Sequence, residues 1–439
     1  MAVSNVLREA GYRRPVYYGW WVLAAAALTE MLAIGSTSYA AGLFVLPLQH
    51  EFSLSRAAAN SAIPILFTGG AIMAALVGRL LDRFPVQWIM SLGAISFGIG
   101  LVTISTTSSI LVITLSLLLP VAFGFVAVGP LTTTTLVSRW FYRRRGRALG
   151  IATVASSGGG IIVIPLLSWA IETFGWRSAL IMEALLISAI ICTLAIFLIR
   201  SGPADLALAN HPENTGRQLF DMPQPANGAK ENTDAPRWRL REALATVNFW
   251  AIAIALAAIT AIAQAIVVMI VPYSIELGQS PTAAALLITA FSIAAAIVKI
   301  GSGWLGEFVD QRFIMLGATM AMIASLVIFL TATSYPMLLL GCCLAGTALG
   351  CILPSTAALI AAFFGSPSFG TVMGAIYVAI GVSSIVSVRF AGVVFDRTGN
   401  YRLAFLAFVG LSIVAAVGTF LLQPGADGKI PDAVTPRAN

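Results

Sequence analysis

The sequence predicts an all-α membrane protein of twelve transmembrane helices, in two six-helix pseudo-symmetric halves. Composition is the first observation behind this. Of 439 residues, 59% are hydrophobic and only 10% are charged, a balance that soluble domains of this size do not show. The second is the recurrence of apolar runs, each close to the roughly 20 residues a helix needs to cross a bilayer. The third is an internal repeat. Gly150 to Leu180 lies on Gly374 to Ala404 without a gap, setting Glu172 on Asp396 and Gly175 on Gly399. Pro130 falls on Pro354, and Gly78-Arg79-Leu80-Leu81-Asp82 falls on Gly303-Trp304-Leu305-Gly306-Glu307 at almost the same offset. Two such halves in one orientation form a parallel repeat.

Taken in order, residues 1–200 hold six spans. They run from Tyr18 to Leu48, Ser55 to Leu80, Val86 to Thr106, Ile110 to Arg139, Arg147 to Glu172 and Trp176 to Arg200. Residues 201–245, rich in Pro, Asn, Asp and Arg, read as a cytoplasmic linker of a composition that resists packing. Residues 246–425 hold six more: Val247 to Glu276, Pro281 to Gly306, Phe313 to Ala332, Pro336 to Phe364, Gly370 to Phe395 and Arg402 to Leu422. Residues 426–439 form a short polar tail. Arginines gather at the amino end, at Arg79 and Arg83, between Arg139 and Arg147, and at Arg237, Arg239 and Arg241. The opposite loops are poorer, with Arg56, Arg177, Arg397 and Arg402. That asymmetry places both termini and the linker in the cytoplasm, in a multi-pass protein of the plasma (inner) membrane. The basic amino end leads into a long apolar run with no small-residue cleavage site, so the first helix is expected to be retained.

Composition also excludes functions. The net charge of +7 resides in short inter-span clusters set by topology, not in a nucleic-acid surface. His50 and His211 lie outside the spans, so no buried histidine relay is expected. Cys192, Cys342, Cys343 and Cys351 fall inside apolar spans without metal spacing and read as small packing residues. No Walker loop and no catalytic constellation is visible, so the chain reads as a non-enzyme that uses neither ATP nor another cofactor or metal.

One residue contradicts its surroundings. Only three lysines occur, and Lys230 and Lys429 fall in the linker and tail. Lys299 alone stands in hydrocarbon, where a cation costs roughly 2.5–3.5 kcal/mol on insertion scales. An acidic partner, water or an anionic substrate must offset that. Its helical neighbours Ser292, Ala295, Ala296, Ser302 and Gly303 are all small, which suits a cavity or close packing rather than a lipid face.

Two motifs carry a family resemblance. Gly78-Arg79-Leu80-Leu81-Asp82-Arg83 resembles the signature loop of the major facilitator superfamily, with Pro85 and Val86-Gln87 departing from its glycine and basic pair. Gly78 permits close helix approach there. Asp82 and Arg83 can pair with each other and with facing helix ends, and so lock one conformation. Trp140-Phe141-Tyr142-Arg143-Arg144-Arg145-Gly146-Arg147-Ala148-Leu149-Gly150-Ile151-Ala152, continuing to Ser156 and Gly159, is similar to the entry into span five of the monocarboxylate porters. Arg147 and Ala155 are its clear departures. Arg143 and Arg144 anchor that entry and join Gly78, Asp82 and Arg83 as gating candidates. Gly150, Ala152, Ser156 and Gly159 form a small-residue stripe along which helices can slide. Tyr18-Gly19-Trp20-Trp21, and Tyr39 with Phe44 and Pro47, look like the ends of span one in monocarboxylate and oxalate/formate porters.

The resemblance implies a major facilitator fold and transport of a small carboxylate by alternating access, by a monomer in a lipid bilayer. Lys299, four residues before Gly303, takes the place of an arginine that binds the substrate carboxylate in those porters. Lysine offers a point charge without the bidentate fork. Ala295 stands where many relatives hold an aspartate, so the usual proton partner is missing. Glu30 is the candidate to carry a coupling proton. Nine residues on an ideal helix, however, turn it about 180° from Tyr39, so the two share a cavity only if span one is kinked. Tyr39, Gln264, Ser292, Tyr377 and Arg389 are the further substrate-binding candidates. Arg389 lies two turns before Asp396, so an ion pair between them and a second anion contact are both open. Asn60, Thr134, Tyr273, Ser383 and Ser384 are polar groups that either line a path or bond helix to helix. Glu183, in span six, reads as structural. Proton symport, anion exchange, and a facilitator of neutral solutes or silent sensor are the three functional readings.

Overall fold

A computed structural model describes residues 18–141, 145–202, 240–305, 308–364, 368–420 and 422. Among the described residues, twelve helices are long and apolar enough to cross a membrane. Spans one to six are Tyr18–Tyr39, Arg56–Arg83, Val86–Thr106, Ile110–Trp140, Gly150–Phe174 and Trp176–Phe197. Spans seven to twelve are Val247–Glu276, Pro281–Ser302, Gln311–Thr331, Tyr335–Ile360, Val372–Thr398 and Arg402–Phe420. No strand occurs among the described residues.

Span seven occupies the centre. Its Ala, Ile and Val residues are apolar on every side rather than along one stripe, the pattern of a helix enclosed all round. It packs against spans eight, ten, eleven and twelve, and against Ala41–Phe52, the helix that continues span one. Polar termini begin the helices. Thr246 caps span seven by accepting from the Phe249 amide, and Asp310 caps span nine by accepting from the Arg312 amide at 2.9 Å. Hydrogen bonds from Arg312 hold the Asp310 carboxyl below the usual carboxylate range.

Three wide π-turns interrupt the spans: Gly35–Tyr39 in span one, Leu117–Val121 in span four and Gly159–Val163 in span five. Pro120 lies inside the second, where its missing amide suits the broken ladder. The first and third meet. A Cβ on Gly35 would lie 3.0 Å from the Gly159 Cα and 2.7 Å from the Val163 side chain. Only glycine at both positions lets these two backbones cross so closely.

The face opposite the linker is closed by two contacts that obey the internal repeat. Ser55 and Ser280 cap the first turns of spans two and eight through the amides of Ala58 and Ala283. An acid of the other half then engages each of these starts. The Asp396 carboxylate, ending span eleven, accepts from the Arg56 and Ala57 amides at 2.6 and 2.8 Å. Glu172, ending span five, accepts from the Thr282 hydroxyl at 2.7 Å. The repeat that pairs Glu172 with Asp396 thus becomes a pair of acid-to-helix-start contacts, which the helix dipole favours. Arg56 is buried, pairs with Glu276 and lies 4.4 Å from the centre of the Phe395 ring.

The linker face is not joined in this way. Asp82 and Arg83 are exposed, and among the described residues neither forms an ion pair. A side chain added at Gly78, or at the repeat-related Gly150 and Gly374, would meet nothing within 4 Å. Arg143 and Arg144 lie outside the described residues. Among the described residues, these hydrogen bonds and the Arg56–Glu276 ion pair join the halves at the far face, and none joins them at Asp82 or Arg83.

The two faces predict opposite mutational effects. Asp396→Asn weakens a far-face contact worth about 1 kcal/mol, enough to change the population of far-face-open molecules roughly fivefold. If Asp82 gains a partner only when the linker face closes, Asp82→Asn favours the state described here. Thiol labelling in a background without native cysteines reads both, with probes at Ala59 and Thr134. Asp396→Asn should raise labelling at Ala59→Cys, and Asp82→Asn should raise it at Thr134→Cys. Unchanged labelling at both positions would remove these acids from gating.

Candidate functional site: a lysine between two halves

Lys299 projects from span eight, in the second half, to span five, in the first. Its Nζ donates to the Ser157 Oγ at 2.9 Å, the Thr153 carbonyl at 3.0 Å and the Ser156 Oγ at 3.3 Å. An ammonium has three donors, and all three are engaged. None of these acceptors is charged.

The charge that answers Lys299 is Glu30. It is buried in span one, beside the Thr133 hydroxyl of span four and within electrostatic range of Lys299. The two do not form a direct ion pair. Among the described residues, ion pairs join only Arg56 to Glu276, Arg177 to Glu51 and Arg312 to Asp310. Acid and base are therefore more than 4 Å apart, yet near enough to interact electrostatically. Tyr377, half exposed on span eleven, lies in the electrostatic range of Glu30.

The kink that span one needs is present. A π-turn holds one more residue per turn than an α-helix, so Gly35–Tyr39 turns the chain back by roughly 100°. Glu30 and Tyr39 are then about 80° apart rather than opposed. Tyr39 is buried with its hydroxyl against those of Ser157 and Ser292, and its ring lies edge-on to Phe291. Residues of spans one, four, five, eight and eleven thus converge on one region from both halves.

Other candidates stand differently. Ser292 is fully buried at the crossing of spans five and eight. Its Oγ donates to the Ile288 carbonyl and fills the space where Gly160 would carry a Cβ, which leaves it no open face toward a solute in this state. Gln264 donates to the Ser38 carbonyl at 3.3 Å, holding span seven to the π-turn of span one. Arg389 does not pair with Asp396, whose carboxylate is occupied at the start of span two. It donates instead to the Ser61 Oγ of span two at 2.7 Å, and so joins the far-face contact between the halves. Ser383 and Tyr273 bond backbone carbonyls of neighbouring helices, Asn60 is buried and Thr134 is exposed. Glu183, in span six, is buried beside Ser36 of span one. A largely apolar cavity of about 80 Å³, bordered by Ser36, Thr37, Phe44, Leu101 and Trp176, holds none of the charged groups.

Sequence reasoning missed Thr133, Thr153 and Ser157 as partners of the buried charges, because which helix faces which is not a property of spacing. It also read Arg56 only as a topology residue. The matched serines Ser55 and Ser280, beside the matched acids, were the signal for that gate.

Comparison with known proteins agrees with this geometry. Residues 26–278 and 252–437 match the sequence profile of the Major Facilitator Superfamily. The chain is 25% identical to an uncharacterised MFS-type transporter, YcxA, of Bacillus subtilis (strain 168), over 92% of this chain and 95% of the relative. It is 26% identical to monocarboxylate transporter 13 of Rattus norvegicus, over 93% and 89% of the two chains. It resembles the structure of a D-xylose–proton symporter with a TM-score of 0.72 at 16% identity, covering 94% of this chain and all of that one. Twelve spans in two repeated halves, charged groups meeting between them and a profile match along nearly the whole chain lead to one conclusion: this protein belongs to the major facilitator superfamily of membrane transporters.

Proposed function

We propose that this protein is a proton-coupled symporter of a small monocarboxylate, with Lys299 as the carboxylate ligand and Glu30 as the proton carrier. The observation that carries this reading is a buried acid and a buried base, one from each half, that interact electrostatically without forming an ion pair. Charge balance supplies the mechanism. With Glu30 ionised and no substrate, the site holds one negative and one positive charge. With a carboxylate on Lys299 and a proton on Glu30, it is again neutral. Substrate without a proton, or a proton without substrate, leaves one net charge to be enclosed in hydrocarbon, which is costly. The two balanced forms are therefore the ones able to reorient, which couples proton to anion. The cycle also carries no net charge, so the membrane potential, about 2.3 kcal/mol per charge per 100 mV, does not oppose anion entry. Tyr39 and Tyr377 would contribute hydroxyls to the solute. The names of the monocarboxylate transporter relatives support the substrate class.

A permanently protonated Glu30 would instead make the protein a carboxylate exchanger, because only the loaded site would then be neutral and able to reorient. Glu30→Gln separates the two readings in proteoliposomes. Symport predicts that the variant loses uptake driven by a pH gradient, and the accompanying external pH change, while keeping counterflow of labelled carboxylate. Wild-type pH-gradient uptake in Glu30→Gln would assign Glu30 no proton.

Lys299→Ala tests the ligand. It should abolish the rise in melting temperature that a bound carboxylate gives the wild type, while the ligand-free protein stays folded, since the cation's desolvation cost goes with it. Lys299→Arg should retain partial binding. A folded Lys299→Ala protein that binds carboxylates normally would refute the assignment.

We read the protein as a monomer of the plasma membrane, and the arginine asymmetry supports a linker face turned toward the cytoplasm. A cysteine at Asn227 should resist an impermeant thiol reagent applied to intact cells and react once they are opened. Labelling in intact cells would reverse the topology.

A further inference from the structure

We propose that Thr153, Ser156 and Ser157 of span five form a release berth for the Lys299 ammonium. When the linker face opens, they take over its three hydrogen bonds and so displace a bound carboxylate. This rests on the reading of Lys299 as the carboxylate's ligand.

The lysine belongs to one half and its acceptors to the other, so any change in the angle between the halves alters these bonds. Local structure prepares the acceptors. The Ser156 hydroxyl donates to the Thr153 carbonyl at 2.7 Å, which leaves its lone pairs for the ammonium. Gly160 lets span eight approach until Ser292 fills the place of a Cβ, and Thr289 donates to the Gly160 carbonyl at 3.1 Å. That approach brings span five within reach of the lysine. Ser157 also meets the Tyr39 hydroxyl, so the berth touches a second candidate substrate group.

The neutrality of the berth is what suits it to release. A buried ammonium without partners is costly, so an empty site needs acceptors. An acidic berth would hold the lysine permanently. Neutral acceptors bind it more weakly than a carboxylate does, because they bring no opposite charge to the ammonium. They compete successfully only where the departing carboxylate can be hydrated, which opening of the linker face would allow.

The test uses purified full-length protein, with Ser156→Ala, the Ser156→Ala/Ser157→Ala double variant and the conservative Ser156→Thr. With only three lysines in the chain, reductive methylation with ¹³C-formaldehyde resolves Lys299 by NMR without any substrate. The berth predicts faster methylation of Lys299 in Ser156→Ala and faster still in the double variant, with Ser156→Thr like wild type. Thermal-shift titration with formate, acetate, pyruvate and lactate gives affinity in parallel. Removing one acceptor should tighten carboxylate binding about fivefold, and transport should show kcat and KM falling together. Serines with only a structural role would lower the melting temperature without tightening binding. Unchanged Lys299 reactivity and affinity in the double variant, with binding still abolished by Lys299→Ala, overturns the berth alone. If Lys299→Ala binds these acids as wild type does, or none of them binds wild type, the berth and the site assignment fall together.

Discussion

The cost of a charge in hydrocarbon governs the centre of this protein. Lys299 cannot remain there without partners, and one helix cannot supply enough of them. Span eight surrounds it with small residues, so its acceptors must come from across the interface, and they do so from span five. Close approach between these helices depends in turn on Gly160 against Ser292, and on the neighbouring contact of Gly159 with Gly35. The π-turns in spans one and five follow from the same requirement. They let backbones meet where side chains would separate them, and they turn Tyr39 toward the region that Glu30 faces.

A second constraint acts at the membrane surfaces. Helix starts carry unpaired amides and a partial positive charge, and an acid on the facing half can satisfy both. Asp396 does this for span two, and Glu172 engages the start of span eight. These contacts are strong enough to hold a closed face and weak enough to break, because each stays close to water. The linker face has its own acid, Asp82, which has no such partner among the described residues. The internal repeat thus supplies related devices at both ends of the molecule, and only the far-face set is engaged. Neutral acceptors at the centre and acids at the ends divide the work: the centre answers the solute, and the ends answer the conformation.

The architecture was legible in the sequence because it follows from local composition. A helix in lipid must satisfy its own backbone, so apolar runs of sufficient length become spans whatever surrounds them. The repeat, the isolation of Lys299 and the loop bearing Asp82 were likewise visible as residue types at fixed spacing. Glu30 was legible as a buried acid, but its relation to Tyr39 was not. Helical geometry set them on opposite faces, and only a π-turn, which has weak sequence signals, brought them nearer.

Sequence alone therefore determined the twelve spans, their division into halves and the presence of one cation that needed partners. Tertiary structure decided which partners those are. Thr153, Ser156 and Ser157 lie 142 to 146 residues from Lys299, and Asp396 lies 340 from Arg56: they meet only because the two halves are docked at one angle. Arg389 was free to pair with Asp396 by spacing, yet the docking gives Asp396 to the start of span two and Arg389 to Ser61. Spacing along a helix fixes which residues share a face. The packing of one helix bundle on another fixes what that face meets, and in an alternating-access fold that packing is the variable which changes.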